Sequence, residues 1–181
     1  MTRNDKSVTM EEFFKTVNAF NKQLIDSGAN RYYFVKNPRK VDIEKAPALD
    51  VELDLHPDHK KGGRVFHTKT TFYLDCDDVL HDGSSYRLLE LFNFKVQKEK
   101  LMFTSREYKK EAKDTTNIHW VCDDNPVNIE VLMPDGKRVK GLGEKWLNDV
   151  SVDQVVQFER FGFVRCDGIT PQKMTFWFLH K

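Results

Sequence analysis

Three groups of residues in this chain have types and spacings that chemistry could use. His56-Pro57-Asp58-His59, with His67 further along, gathers imidazoles and a carboxylate, the donor set of a zinc-like site. Asp75, Asp77 and Asp78 could form an acidic site. The run Val155-Val156-Gln157-Phe158-Glu159-Arg160-Phe161-Gly162-Phe163-Val164-Arg165 sets a carboxamide, a carboxylate and a guanidinium among apolar neighbours.

The first two groups have plainer readings. Pro57 between the histidines, followed by Lys60, Lys61, Gly62 and Gly63, describes a polar turn better than a closed coordination shell. Three clustered aspartates describe a charged strand end. A metal-dependent hydrolase built on His56, His59 and His67 is the alternative that metal analysis would test. No Gly-x-Ser-x-Gly, no Walker-type glycine loop and no recognisable Ser/His or Cys/His arrangement occurs, so no catalytic residue is expected. In the third group, the apolar positions are even at Val156 and Phe158 and odd at Phe161 and Phe163. The strand period of two slips at Glu159-Arg160, which predicts a bulge or tight bend that turns Gln157, Glu159 and Arg160 to a ligand face.

The elements that position these groups are mostly strands. Thr9-Met10-Glu11-Glu12 has capping-box spacing, and Phe13, Phe14, Val17, Phe20, Leu24 and Ile25 continue at helical intervals to a stop at Gly28. Beyond it, strand-like runs at 31–35, 51–55, 66–74, 87–97, 127–133, 138–142, 155–164 and 173–179, several of them alternating, with a turn at Pro134-Asp135-Gly136, predict about twelve short strands. That number suits two small closed barrels better than a sandwich. No internal repeat is visible, and no low-complexity linker divides the chain.

The 181 residues can bury a core as one domain or as two small ones. Charge is balanced, with 29 Lys and Arg against 28 Asp and Glu, so any affinity for nucleic acid must come from a local patch. The polar start at residues 1–7 and the lack of a long apolar run predict a soluble, cytoplasmic protein. Cys76, Cys122 and Cys166, odd in number and far apart, fit reduced thiols.

Gln157-Phe158-Glu159-Arg160-x-Gly162-Phe163 resembles the signature near the end of the anticodon-binding region of glutamyl- and glutaminyl-tRNA synthetases, most closely the archaeal glutamyl type. The resemblance extends through Ala29-Asn30-Arg31-Tyr32-Tyr33-Phe34-Val35, Asn37-Pro38, Val41-Asp42-Ile43-Glu44, Asn117-Ile118-His119-Trp120-Val121, Asn125-Pro126-Val127, Met133-Pro134-Asp135-Gly136 and Gly141-Leu142-Gly143-Glu144. It implies a mainly β fold: two small six-stranded β-barrels, with strands exchanged between them, after a connector helix. The expected division is a connector at 1–28 and a double barrel at 29–181, with halves near 29–122 and 123–181.

The resemblance also implies a function. The chain would be the anticodon-binding part of a glutamate–tRNA ligase, with tRNA and the catalytic half of the same enzyme as partners and no role for membrane or DNA. ATP and Mg²⁺ would serve the full-length enzyme and not this chain, which lacks the His-x-Gly-His and Lys-Met-Ser-Lys-Ser-like motifs; Lys173-Met174-Thr175 is a weak echo of the second. By resemblance, Arg31, Gln157 and Arg87 match anticodon-reading positions. Lys36, Arg39, Lys40, Arg64 and Lys95 are candidate phosphate contacts. The alternatives are the glutamine-specific enzyme and a free-standing RNA-binding barrel, for which a more basic chain would be expected.

Overall fold

The computed structural model of the chain describes residues 7–108 and 115–181, so the polar start expected at 1–7 lies, except for Ser7, outside the described residues. The chain opens with helix α1 (Met10–Ile25). It continues with β1 (Arg31–Tyr32), β2 (Phe34–Lys36), β3 (Pro38–Glu44), β4 (Leu49–His56), β5 (His59–Thr68), β6 (Thr71–Asp75), β7 (Ser85–Leu88), β8 (Phe92–Gln97) and β9 (Lys100–Ser105). Then come β10 (Thr115–Ile118), β11 (Val121–Cys122), β12 (Val127–Leu132), β13 (Arg138–Gly143), a 3-10 turn at Lys145–Asp149, β14 (Val155–Phe158), β15 (Gly162–Ile169) and β16 (Met174–His180).

The capping box forms as its spacing predicts: Glu12 N–H donates to Thr9 Oγ1 at 3.2 Å and Thr9 N–H donates to Glu12 Oε2 at 3.0 Å. The helix ends as Gly28 and Ala29 N–H groups both donate to the Ile25 carbonyl. Its apolar stripe is not buried in this chain, since Met10, Phe13, Phe20 and Leu24 are each more than half exposed.

The strands close into two rings. In the first, β10-β7-β8-β9-β3-β6-β11 are hydrogen-bonded in that order, and β10 and β11 at its two ends are one run of chain broken only at His119 and Trp120. In the second, the order is β1-β14-β15-β16-β12-β13-β2, and β1 and β2 are again one run, broken at Tyr33. Each ring is therefore a six-stranded barrel closed through a split strand, and the expected mainly β double barrel is what the chain forms. The β4–β5 hairpin stands apart between β3 and β6.

The two rings have the same wiring. The split strand runs parallel to β14 in one and to β7 in the other, the β16–β12 and β9–β3 pairs are parallel, and the remaining neighbours are antiparallel. Along the chain, each split strand is followed by five strands that close the other ring. The structure is thus a tandem repeat, which the sequence reading did not see, with its leading strands reciprocally exchanged, as the resemblance implied. The trace is there in retrospect: Asn37-Pro38 and Asn125-Pro126 each follow a split strand, both asparagines at positive φ, 43° and 53°. Val41-Asp42-Ile43-Glu44 answers to Val127-Asn128-Ile129-Glu130.

Exchange explains why residues 31–35 read as nearly unbroken apolar sequence. Tyr32 and Phe34 enter the second ring's core, where Phe34 stacks on Phe158 at 4.9 Å, while Tyr33 and Val35 enter the first. A strand buried on both faces shows no alternation. Gly141 allows the second ring to close, since a Cβ there would collide with the Val35 carbonyl and the Phe34 ring.

Candidate nucleic-acid interface

Arg31 and Gln157 are register partners across the parallel β1–β14 ladder. Their neighbours Tyr32 and Phe158 pair inward and are buried, so the alternation of the strand turns Arg31 and Gln157 away from the barrel core. Arg31 Nη2 makes one long ion pair, 3.4 Å to Asp26 Oδ1. Its Nε, and Oε1 of Gln157, are shielded from solvent yet have no hydrogen-bond partner among the described residues. A donor and an acceptor left open side by side are what a base edge requires.

The expected break in strand period lies beside this pair, as the hairpin turn between β14 and β15. Phe161 N–H donates to the Phe158 carbonyl at 2.9 Å, Arg160 sits at φ 61°, and Glu159 N–H donates to the Tyr32 carbonyl at 3.0 Å. The first ring repeats this device: Leu91 N–H bonds the Leu88 carbonyl, Glu90 sits at φ 57°, and Leu89 N–H bonds the Ile118 carbonyl.

Two clefts flank Glu159. One, about 250 Å³, is lined by Arg31, Tyr33, Glu52, Arg64, Glu90 and Glu159 among others. The other, about 210 Å³, includes Lys36, Asp75, Asp77, Asp78, His119 and Arg160. Burial holds the Glu159 carboxyl above the usual carboxylate range, against the pull of Arg64 and then Arg31. The aspartate group is a charged strand end: Asp77 pairs with Lys36, and Asp78 is pushed up by burial and then by neighbouring Asp75.

Arg87 lies in the first ring, at the position Gln157 occupies in the second, and its partner in register is Asn117 where Gln157 has Arg31. It is 8% exposed, and Nη1 donates to Asn93 Oδ1 at 3.0 Å and to the carbonyls of Arg106 and Glu107. Its guanidinium lies 5.2 Å from the ring centre of the exposed Tyr108. Arg160 bridges the rings by donating to the Asn117 carbonyl at 2.9 Å. The structure therefore pairs Arg31 with Gln157 and gives Arg87 the equivalent place on the other barrel.

The candidate phosphate contacts separate. Lys40 pairs with Asp123 at 2.9 Å, Arg39 Nη2 donates to the Asp78 carbonyl, and Lys95 is half-buried on β8. Lys36–Asp77 and Lys40–Asp123 are exposed pairs of the kind that hold a fold only weakly. Arg64 is different. It is 4% exposed and bound to the buried Glu144 at 2.7 Å, so the expected phosphate contact gives way to an ion pair at the seam.

Of the three histidines, His56 and His59 lie with ring centres 4.8 Å apart and His67 stands elsewhere. His56 Nε2 lies 2.7 Å from the Asp26 carbonyl and His59 Nε2 3.1 Å from that of Ser27, tying the hairpin to the helix exit, while His67 meets Asp50. Among the described residues, no three His, Cys, Asp or Glu side chains are grouped to hold a metal ion. No described helix is long and apolar enough to cross a membrane.

Two family models, both described as the anti-codon binding domain of class I tRNA synthetases (E and Q), match residues 29–113 and 117–167. The chain belongs to this family. Both matches begin at a split strand, following the tandem repeat and not the rings it builds. Among its relatives, the glutamate–tRNA ligase of Pyrococcus abyssi is 40% identical over 90% of this chain and 30% of its own length. That of Methanocaldococcus jannaschii is 38% identical over 90% of this chain and 30% of its own length. The Pyrococcus horikoshii enzyme is 36% identical over the whole chain and 33% of its own length. The chain thus spans about a third of the length of these relatives.

In this anticodon-binding domain, Glu144 and His119 are the site residues that sequence reasoning left without a role. Burial raises the Glu144 carboxyl from 4.5 to about 7, against Arg64 and the Tyr33 N–H. Burial, helped by Arg160, lowers His119 from 6.5 to about 4. Between about pH 4.5 and 7 folded Glu144 keeps a proton that the unfolded chain has released, so its contribution to stability falls as pH rises. Between about pH 4 and 6.5 unfolded His119 holds a proton that the folded form lacks, so its contribution grows as pH rises. The two oppose each other. Relative to the parent, His119→Gln is expected to lose stability as pH rises across that window and Glu144→Gln to gain it, each by up to about 1.4 kcal/mol per pH unit. Urea midpoints at three pH values measure this; profiles parallel to the parent's would contradict it.

Proposed function

We propose that this domain reads the anticodon loop of a glutamate-accepting tRNA for a glutamate–tRNA ligase whose catalytic part attaches glutamate using ATP and Mg²⁺. The observation that carries this reading is the unpartnered Arg31 Nε and Gln157 Oε1, neighbours across the ladder between the exchanged strand β1 and β14, with Arg31 lining the adjoining cleft. Unstacked loop bases are read by such planar forks and amides, and stack on aromatic or guanidinium planes. Arg87 with Tyr108 supports a second base position at the equivalent place on the other barrel. Lys36, Arg39, Lys40 and Lys95 supply phosphate contacts that carry no sequence information.

The test is binding at fixed salt to the anticodon stem-loop of glutamate tRNA, to the same loop with its middle base changed, and to the glutamine loop. Tighter binding to the glutamate loop than to both others is expected. Equal binding with a steep salt dependence would mean backbone contacts only and would sink the reading.

A further inference from the structure

Arg64 stands on β5, in the hairpin that only the first repeat carries. Its Nη1 donates to Glu144 Oε2 at 2.7 Å and its Nη2 to the Asp54 carbonyl at 2.7 Å. The same Glu144 oxygen accepts the Tyr33 N–H at 2.7 Å, and the Glu144 N–H donates to the Tyr33 carbonyl at 3.1 Å. Tyr33 is the residue at which the exchanged strand breaks. Glu144 therefore supplies both backbone hydrogen bonds that a neighbouring strand would have made there, and Arg64 donates to its carboxyl and supplies the counter-charge needed once that group ionises, above about pH 7.

This arrangement reaches Arg31 by two routes. Arg31 lies two residues before Tyr33 on the same face of the strand, so anchoring Tyr33 sets where the Arg31 side chain starts. Arg31, Arg64 and Glu159 also line one cleft, and Glu159 draws on both guanidinium groups. Without Arg64, Glu159 would have Arg31 as its main cation on that side. An arginine captured by a carboxylate has fewer donors left for a base.

We infer that Arg64, held by Glu144, is a positioning residue of the base-reading cleft: it fixes Tyr33 and shares Glu159, and so leaves Arg31 free to bond a base. The inference rests on base reading by Arg31 as proposed above.

Two variants test it, both in the full chain. Arg64→Met with Glu144→Gln removes both charges and keeps an acceptor for the Tyr33 N–H; such neutral replacements of buried pairs commonly fold. Arg64→Lys keeps the charge and loses the two-pronged geometry. Three quantities are read: the thermal midpoint, the ratio of affinities for the cognate and middle-base-changed loops, and the Arg31 Nε–H resonance in nitrogen-15 spectra.

The expected result is a folded double variant whose affinity ratio drops about tenfold, the equivalent of about 1.4 kcal/mol. Its Arg31 resonance shifts as Glu159 draws the guanidinium in, and Arg64→Lys falls between it and the parent. A folded double variant with the parental ratio and an unmoved Arg31 resonance overturns the inference. If the double variant does not fold, Arg64→Lys decides by the same two readings. A parent that does not discriminate refutes base reading instead, and the Arg31 resonance then decides positioning by itself.

Discussion

Arg31→Ala is expected to reduce discrimination between the cognate loop and its middle-base variant by about tenfold to a hundredfold, the equivalent of the 1–3 kcal/mol that a bidentate base contact provides. Stability should change by less than about 1 kcal/mol, because among the described residues the side chain makes only the long Asp26 pair, at 3.4 Å. Salt dependence separates a base contact from a phosphate contact. A base reader leaves the slope of affinity against salt unchanged, whereas loss of a phosphate contact reduces it by about one and weakens all loops alike. Uniform weakening with a shallower slope would therefore remove Arg31 from base reading. Arg31→Lys should behave more like Ala than like Arg, since an ammonium cannot present two parallel donors to a base edge.

Trp120→Ala is expected to have the largest effect on the fold. The side chain is fully buried at the break in the split strand β10–β11, with its ring edge-on to Tyr33, Phe66 and Phe72 at 5.4, 5.4 and 5.7 Å. Its Nε1 donates to the Leu89 carbonyl at 2.8 Å. Truncation leaves a large cavity and one unpaired buried carbonyl, for about 4–6 kcal/mol in all. In a chain of this size that lowers the thermal midpoint by roughly 10–20 °C. Calorimetry of the variant checks this, and a loss below about 1 kcal/mol would mean that the seam between the rings is not held together here. Because Trp120 packs on Tyr33 of the other exchanged strand, the loss should also blunt discrimination in the Arg31 cleft.

Much of this molecule is legible in its residue pattern because local physics writes it. The capping box at Thr9 and Glu12 and the turn at Glu159-Arg160 follow from spacing, since side-chain period and turn chemistry act over a few residues; the expected twelve strands are sixteen, because two strands are split and a hairpin stands outside the rings. The order of short family-like motifs indicated the family. The unbroken apolar run at residues 32–35 recorded burial on two faces.

Apolar pattern does not name the partner that does the burying. The reciprocal exchange of split strands depends on pairings such as Arg31 with Gln157 and Lys36 with Gly141, more than a hundred residues apart in the chain. Nothing in either segment alone selects its own ring over the other. For the same reason Arg64 looked like one more surface cation. Only the folded chain brings it to Glu144, where desolvation makes an ion pair the condition for burying either charge. Residue pattern alone therefore set the helix, most of the strands, the turns and the family; the folded chain set which barrel each strand completes, which arginine is left with an unpartnered Nε beside a cleft and which is buried at the seam.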